Sequence, residues 1–215
     1  MRLYLSSFDI GEWPNELLAL TRGVARVAVI VDGLDNFAKE RAKWLKAQSD
    51  KLIAMGYAVT ELDLRDFFGR SGELETFLKE IGLVWINGGN TFILRRAMRQ
   101  SGFDELIKAA LHRDDIVYAG FSAAAVIAAP SLRGLEFVDN PNDAPPGYDQ
   151  ETIWDGLGLL PFAIAVHFKS DHAESMSVDR EIAFYEKNSI PFRTLRDGEA
   201  LVVDGATQRV VGSRH

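Results

Sequence analysis

Residues 118–130 read YAGFSAAAVIAAP and place one serine, Ser122, where an apolar strand gives way to a run of alanines. A sharp strand-to-helix turn needs small residues on both sides of its apex, and Gly120, Ala123 and Ala124 meet that need. Such a turn holds its apical side chain beyond the sheet edge, beside the N-terminus of the following helix. The stretch predicts either a nucleophile at Ser122 or a purely structural turn into a buried helix.

The sequence on both sides of this turn alternates short apolar runs with longer amphipathic ones, which predicts a parallel sheet flanked by helices. We expect one α/β domain over residues 1–215. Two turn signals, Asp197-Gly198 and Asp204-Gly205, predict a short antiparallel meander at the end of the chain. The predicted strands are 2–7, 24–32, 57–64, 116–120 and 160–168, and the predicted helices are 36–55, 72–82, 103–112 and 177–188. Residues 83–100 are predicted to form a strand, a glycine turn and a helix.

The amino-acid composition excludes several classes of function. The net charge of −7 argues against a nucleic-acid or anionic-membrane partner, because both favour a basic surface. The absence of cysteine excludes disulfides, cysteine-ligated metals and a cysteine nucleophile. No run of apolar residues is long enough for a membrane span, and the opening MRLYLSSFDIGEWP does not resemble a secretory signal. We therefore expect a cytoplasmic protein.

A second motif, INGGNTF, occupies residues 86–92 at the end of another buried strand. Gly88 and Gly89 allow positive φ and leave backbone N–H groups uncovered, as an oxyanion hole requires. Ligands of open parallel sheets bind at such strand ends. The alternative is an ordinary strand-to-helix turn in which Asn90 or Thr91 caps the helix.

Two of the four histidines are candidates for a general base. His167 closes the apolar strand AIAVHF, while His172 lies in the polar stretch KSDHAE and is the weaker candidate. A serine triad also needs an acid to orient the imidazole. Residues 131–160 form a long predicted loop that offers six acids, and their spacing does not choose among them: Glu136, Asp139, Asp143, Asp149, Glu151 and Asp155.

Taken together, INGGNTF, GFSAAA, PSLRG and VHF, in this order and spacing, resemble the dipeptidase E (peptidase E, aspartyl dipeptidase) family of serine peptidases. The resemblance spans about residues 83–170 and implies a fold like that of the class I glutamine amidotransferases. It implies Ser122 as nucleophile and His167 as base, with Glu136 as the acid and Asp139 as runner-up.

The same resemblance implies that the N–H groups of Gly89 and Ala123 form the oxyanion hole. Gly88, Asn90 and Thr91 are then expected to shape the substrate pocket. No metal or cofactor is expected. The expected partner is a small peptide substrate, with a homodimer as an option.

Two departures from the family pattern bear on specificity. Ala124 stands where the family elbow has glycine, and no arginine after the histidine is in register to read an aspartate side chain, Arg180 being nearby but displaced. The sequence therefore favours hydrolysis of small peptides, with N-terminal aspartate as one option for the substrate. The alternatives are a non-catalytic small-molecule binder on the same scaffold and a cyanophycinase-like hydrolase of another aspartyl material.

Overall fold

The computed structural model describes residues 1–212, and it contains a seven-stranded sheet in the order β3-β2-β4-β5-β1-β8-β9. The first five strands in that order are parallel, whereas β8 runs antiparallel to both β1 and β9. The strands are β1 Arg2–Ser6, β2 Arg26–Ile30, β3 Ala58–Glu61, β4 Leu83–Ile86, β5 Val117–Phe121, β6 Ala163–Ala165, β7 Phe192–Thr194, β8 Ala200–Asp204 and β9 Thr207–Val211.

Helices cover both faces of this sheet, which confirms the predicted α/β class. They are α1 Pro14–Thr21, α2 Ala38–Ala54, α3 Ser71–Leu78, α4 Thr91–Ser101, α5 Phe103–His112, α6 Ala123–Val126 and α7 Ser175–Lys187. Successive side chains of a strand point to opposite faces. Accordingly Leu3 and Leu5 belong to the core on one face of the sheet, together with residues of α3, α4 and α5. Tyr4 belongs to the core on the opposite face, together with residues of α1.

The C-terminal segment differs in part from the predicted meander. The strands β8 and β9 form the expected antiparallel hairpin around Asp204-Gly205. The strand β7, however, pairs in parallel with β6 in a separate two-stranded sheet. This small sheet matters for the site, because the chain leaves β6 at His167 and leaves β7 toward Asp197.

The long segment between α6 and β6 contains only one short 3-10 turn, Leu135–Phe137, and an isolated bridge between Ser131 and Asp155. Arg96, a buried residue of α4, holds this segment in place. Its guanidinium donates hydrogen bonds to four backbone carbonyl oxygens of the segment, those of Pro141, Asp143, Gln150 and Glu151. The segment is therefore an ordered loop, where the sequence predicts a loop over residues 131–160.

Candidate active site

The turn after β5 has the strained geometry predicted for an exposed nucleophile. Ser122 has φ 52° and ψ −112°, and α6 begins at the next residue. Gly120 permits the turn, since a Cβ there would lie 2.2 Å from the carbonyl oxygen of Ile86 and 2.6 Å from the Cβ of Ala124. The methyl group of Ala124 thus packs over Gly120 in the core.

The glycine turn after β4 lies directly beside this elbow. A Cβ on Gly88 would approach the Cβ of Ser122 to 3.0 Å, and Gly89 has φ +134°. A Cβ on Gly89 would also meet the backbone of Gly33 at 2.6 Å. Position 89 therefore needs glycine, while a Cβ at Gly88 would press on the side chains of Ser122 and Phe121, so the turn lies tightly against the serine.

Two backbone N–H groups, one at the glycine turn and one at the serine elbow, are available to a ligand. Within residues 1–212, the N–H groups of Gly89 and Ala123 donate no hydrogen bond to another part of the chain. Asn90 caps α4 by accepting from the N–H groups of Phe92 and Ile93, as one of the two interpretations of this motif predicts.

His167 meets Ser122 from the small sheet. Its Nε2 atom is 3.2 Å from Ser122 Oγ, and its Nδ1 atom is 2.7 Å from Asp197 Oδ1. The backbone N–H of His167 donates to Ser7 Oγ, which itself donates to Asp197 Oδ1 at 2.8 Å. A continuous path of hydrogen bonds thus connects the serine, the imidazole and a carboxylate.

The family resemblance implies Glu136 as the acid, but the carboxylate hydrogen-bonded to the imidazole is that of Asp197. Glu136 Oε2 instead accepts from the N–H of Gly134, in the short 3-10 turn that packs near α7. Asp139, the runner-up, accepts from the N–H of Thr91 at the start of α4. Neither carboxylate is hydrogen-bonded to the imidazole: Glu136 binds a backbone N–H two residues away, and Asp139 binds one at the start of α4.

The electrostatics of Asp197 suit a carboxylate that stays charged. Burial acts to raise the pKa of Asp197, but hydrogen bonds from His167 and Ser7 outweigh it and hold the pKa below its usual range. A charged Asp197 accepts a hydrogen bond from Nδ1–H, and that tautomer leaves the Nε2 lone pair facing the Ser122 hydroxyl. This is the protonation state that a general base requires.

His172 and Glu174 complete the wall around His167. The ring of His172 stacks on His167 with centroids 3.7 Å apart, and burial together with His167 lowers the pKa of His172. Glu174 Oε2 lies 3.8 Å from His167 Nε2, and burial, followed by the charge of Asp139, raises the pKa of Glu174. In the part of the chain that the structure describes, these three side chains form the one group whose spacing could hold a metal ion.

A cavity of about 130 Å³ opens beside the nucleophile. Its floor is the elbow and the glycine turn, and its walls combine the aromatic rings of Phe8, Trp44 and Phe121 with polar side chains. The lining residues include Phe8, Leu34, Trp44, Asn87, Phe121 and Glu174. Asn90 and Thr91, predicted to shape the pocket, lie behind Gly89 at the start of α4 rather than among these lining residues.

Known proteins resemble this chain in sequence over most of its length. The family model described as peptidase family S51 matches residues 36–211. Peptidase E of Streptomyces coelicolor is 34% identical over 142 residues, which cover 64% of this chain and 55% of the relative. A Drosophila melanogaster protein named as a probable alpha-aspartyl dipeptidase is 25% identical over 182 residues, covering 82% of this chain and 70% of the relative.

Solved structures share the fold. The crystal structure of a Listeria monocytogenes protein that is provisionally named peptidase E matches with a TM-score of 0.78 at 22% identity, and the match covers 99% of this chain and 98% of that one. A peptidase from an acI-B1 actinobacterium has a TM-score of 0.70 at 16% identity, covering 99% and 87%. None of the helices within residues 1–212 has the length and apolar character to cross a membrane. With a family model matched over most of its length, the chain belongs to peptidase family S51.

Proposed function

We propose that this protein is a serine peptidase that hydrolyses small peptides, with Ser122 as nucleophile, His167 as general base and Asp197 as the orienting acid. The observation that carries the proposal is the hydrogen-bonded path from Ser122 Oγ through the imidazole to Asp197 Oδ1. Family membership and the names of the relatives support the same chemistry.

The reaction follows from the positions of these groups. Nε2 of His167 takes the hydroxyl proton while Ser122 Oγ attacks the scissile carbonyl carbon. The tetrahedral oxyanion is stabilised by the N–H groups of Gly89 and Ala123, each worth roughly 3 kcal/mol by analogy with the loss of one oxyanion donor. His167 then gives its proton to the leaving amine, and water hydrolyses the acyl-enzyme by the same steps in reverse.

The size of the cavity supports a short substrate. A cavity of about 150 Å³ holds one benzene molecule, so the 130 Å³ beside Ser122 suits a single side chain. We therefore favour dipeptides and other small peptides over a polymer of the cyanophycin kind. The name of the Drosophila relative makes an N-terminal aspartate the first substrate to be tested.

A serine-directed fluorophosphonate and a dipeptide panel test the proposal. We expect the probe to label Ser122, found by mass spectrometry of the modified peptide, and the wild-type protein to release free amino acids. Ser122→Ala should lose both. A non-catalytic binder on this scaffold would show neither labelling nor hydrolysis in the wild type.

A further inference from the structure

The cavity beside Ser122 has one apolar wall of packed aromatic rings. Phe8 contacts Trp44 and Phe121 edge-on, with centroids 6.1 Å and 5.9 Å apart, and the rings of Trp44 and Phe121 are 5.8 Å apart. Phe8 also lies 6.1 Å from His167, so the wall reaches the catalytic imidazole. Such a wall favours an apolar or aromatic side chain.

The lining of the cavity includes no lysine or arginine among the described residues. Arg180, the nearest candidate in the sequence, is exposed on α7, and Lys169 extends over the ring of Phe168. An aspartate side chain bound here would meet the carboxylate of Glu174 without a cation to offset it. The charges of the cavity therefore disfavour an acidic first residue.

Glu174 is the acid of the cavity, and its carboxylate lies close to the reacting atoms. His167 Nε2 is 3.8 Å from Glu174 Oε2 and 3.2 Å from Ser122 Oγ. Within residues 1–212, no lysine or arginine forms an ion pair with Glu174. This partly buried carboxylate therefore has no permanently charged cation paired with it in that part of the chain, and burial raises its pKa.

A free peptide N-terminus supplies a cation at the required place. The α-nitrogen of the first residue is two bonds from the scissile carbonyl carbon, which standard geometry puts about 2.5 Å away. When Ser122 attacks that carbon, the ammonium group must lie within a few ångströms of the nucleophile. A carboxylate that already borders the catalytic imidazole is placed to bind it.

On the basis of the proposed function, we infer that Glu174 binds the α-ammonium group of the substrate and that Phe8, Trp44 and Phe121 bind an apolar or aromatic first side chain. The substrate class is then a small peptide with a free N-terminus and an apolar first residue, rather than one beginning with aspartate. Removal of the first residue follows, because Glu174 fixes the distance from the amine to the cleaved bond.

Calorimetric titration of the inactive Ser122→Ala protein at pH 7 tests this inference without relying on turnover. Three ligands are compared: Phe-Ala, N-acetyl-Phe-Ala and Asp-Ala. We expect Phe-Ala to bind at least tenfold more tightly than either of the others. Adding Glu174→Gln should weaken Phe-Ala binding about tenfold and leave N-acetyl-Phe-Ala unchanged. Glu186→Gln, which alters an exposed acid in the helix that follows Glu174, is the matched control and should change neither.

Three results would overturn the inference: equal binding of the blocked and free peptides, tighter binding of Asp-Ala, or no binding of any ligand at millimolar concentration. Its failure is distinguishable from failure of the peptidase proposal. If the fluorophosphonate labels Ser122 but the amine makes no difference, the peptidase stands and the Glu174 anchor does not. If labelling and hydrolysis are both absent, the titrations still decide whether Glu174 binds an ammonium group.

Discussion

Asp197 follows His167 by 30 residues, yet its Oδ1 atom is 2.7 Å from Nδ1 of that histidine. The parallel pairing of β6 with β7 produces this contact, because the chain leaves both strands at the same end of the small sheet. Ser7, at the end of β1, ties the two together by donating to Asp197 and accepting from the N–H of His167. Three separate segments thus set the position of one imidazole.

The first prediction concerns the identity of the acid. Asp197→Asn should lower kcat by about a hundredfold or more with KM little changed, because the amide no longer favours the productive imidazole tautomer. Glu136→Gln is the matched comparison and should retain most of the activity, since Glu136 contacts only local backbone. Steady-state kinetics on a cleaved dipeptide measures both. The reverse order of effects would restore Glu136 to the triad.

The second prediction concerns Ser7 as a positioning residue. Ser7→Ala removes one hydrogen bond from Asp197 and leaves the N–H of His167 unpaired, so the imidazole loses part of its support. We expect kcat to fall about tenfold while KM is retained, and Ser7→Thr to recover part of the loss because it restores a hydroxyl. A rise in KM with kcat unchanged would assign Ser7 to substrate binding instead.

Local patterns predict much of this site. The elbow at Ser122 and the glycine turn at Gly88 and Gly89 each depend on a strand followed at once by small residues, and both are where the sequence places them. The helix α1 was missed, because Pro14–Thr21 is only eight residues long and follows a glycine-containing turn. Its signal in the sequence is Pro14 at the first helical position.

The acid could not be predicted in the same way. Asp197 belongs to an Asp-Gly pair that predicts an ordinary turn, and the structure has a turn there. What brings its carboxylate to His167 is the pairing of β6 with β7, two strands of three residues each. Such short strands carry too little periodicity to reveal their partners, so a contact across 30 residues stays hidden.

The third prediction concerns backbone strain at the nucleophile. Ser122 has a positive φ, which a residue with a Cβ adopts only at a cost of roughly 1–3 kcal/mol. Ser122→Gly should therefore raise the free energy of unfolding by about 1 kcal/mol over Ser122→Ala, after allowance for the greater chain entropy of glycine. Urea denaturation of the two inactive variants measures this. Equal stability would mean that the elbow is not strained.

The fourth prediction separates two costs of an added Cβ at the glycine turn: the cost of positive φ and the cost of steric overlap with the neighbouring backbone. Gly89→Ala places a Cβ 2.6 Å from the backbone of Gly33, in addition to the cost of positive φ. Gly23→Ala is the control, because Gly23 has φ +86° with nothing within 4 Å of the added Cβ. The control should lose about 1–2 kcal/mol and keep its activity.

Gly89→Ala should lose more stability than the control and nearly all activity, since moving the turn misaligns an oxyanion donor. Unfolding curves and initial rates, measured on the same preparations, provide the comparison. A Gly89→Ala protein with normal turnover would remove this turn from the proposed oxyanion hole.

The last prediction concerns Glu181, a buried acid of α7 that accepts a hydrogen bond from the hydroxyl of Tyr185 at 2.8 Å. Burial raises the pKa of Glu181 to about 8, against an ordinary value near 4.5. The folded protein therefore holds this proton between about pH 4.5 and 8 while the unfolded chain releases it. Because the folded state binds more protons in that window, the free energy of unfolding should fall as pH rises through it.

Glu181→Gln removes the titration but keeps a hydrogen-bond acceptor for Tyr185, so its stability should vary less between pH 5 and 8. Melting temperatures of the two proteins should lie closest near pH 5 and diverge toward pH 8, with the variant the more stable at the upper end. Glu186→Gln, at an exposed position of the same helix, should follow the wild-type curve. Parallel curves for wild type and Glu181→Gln would show that Glu181 is already ionised in the folded protein.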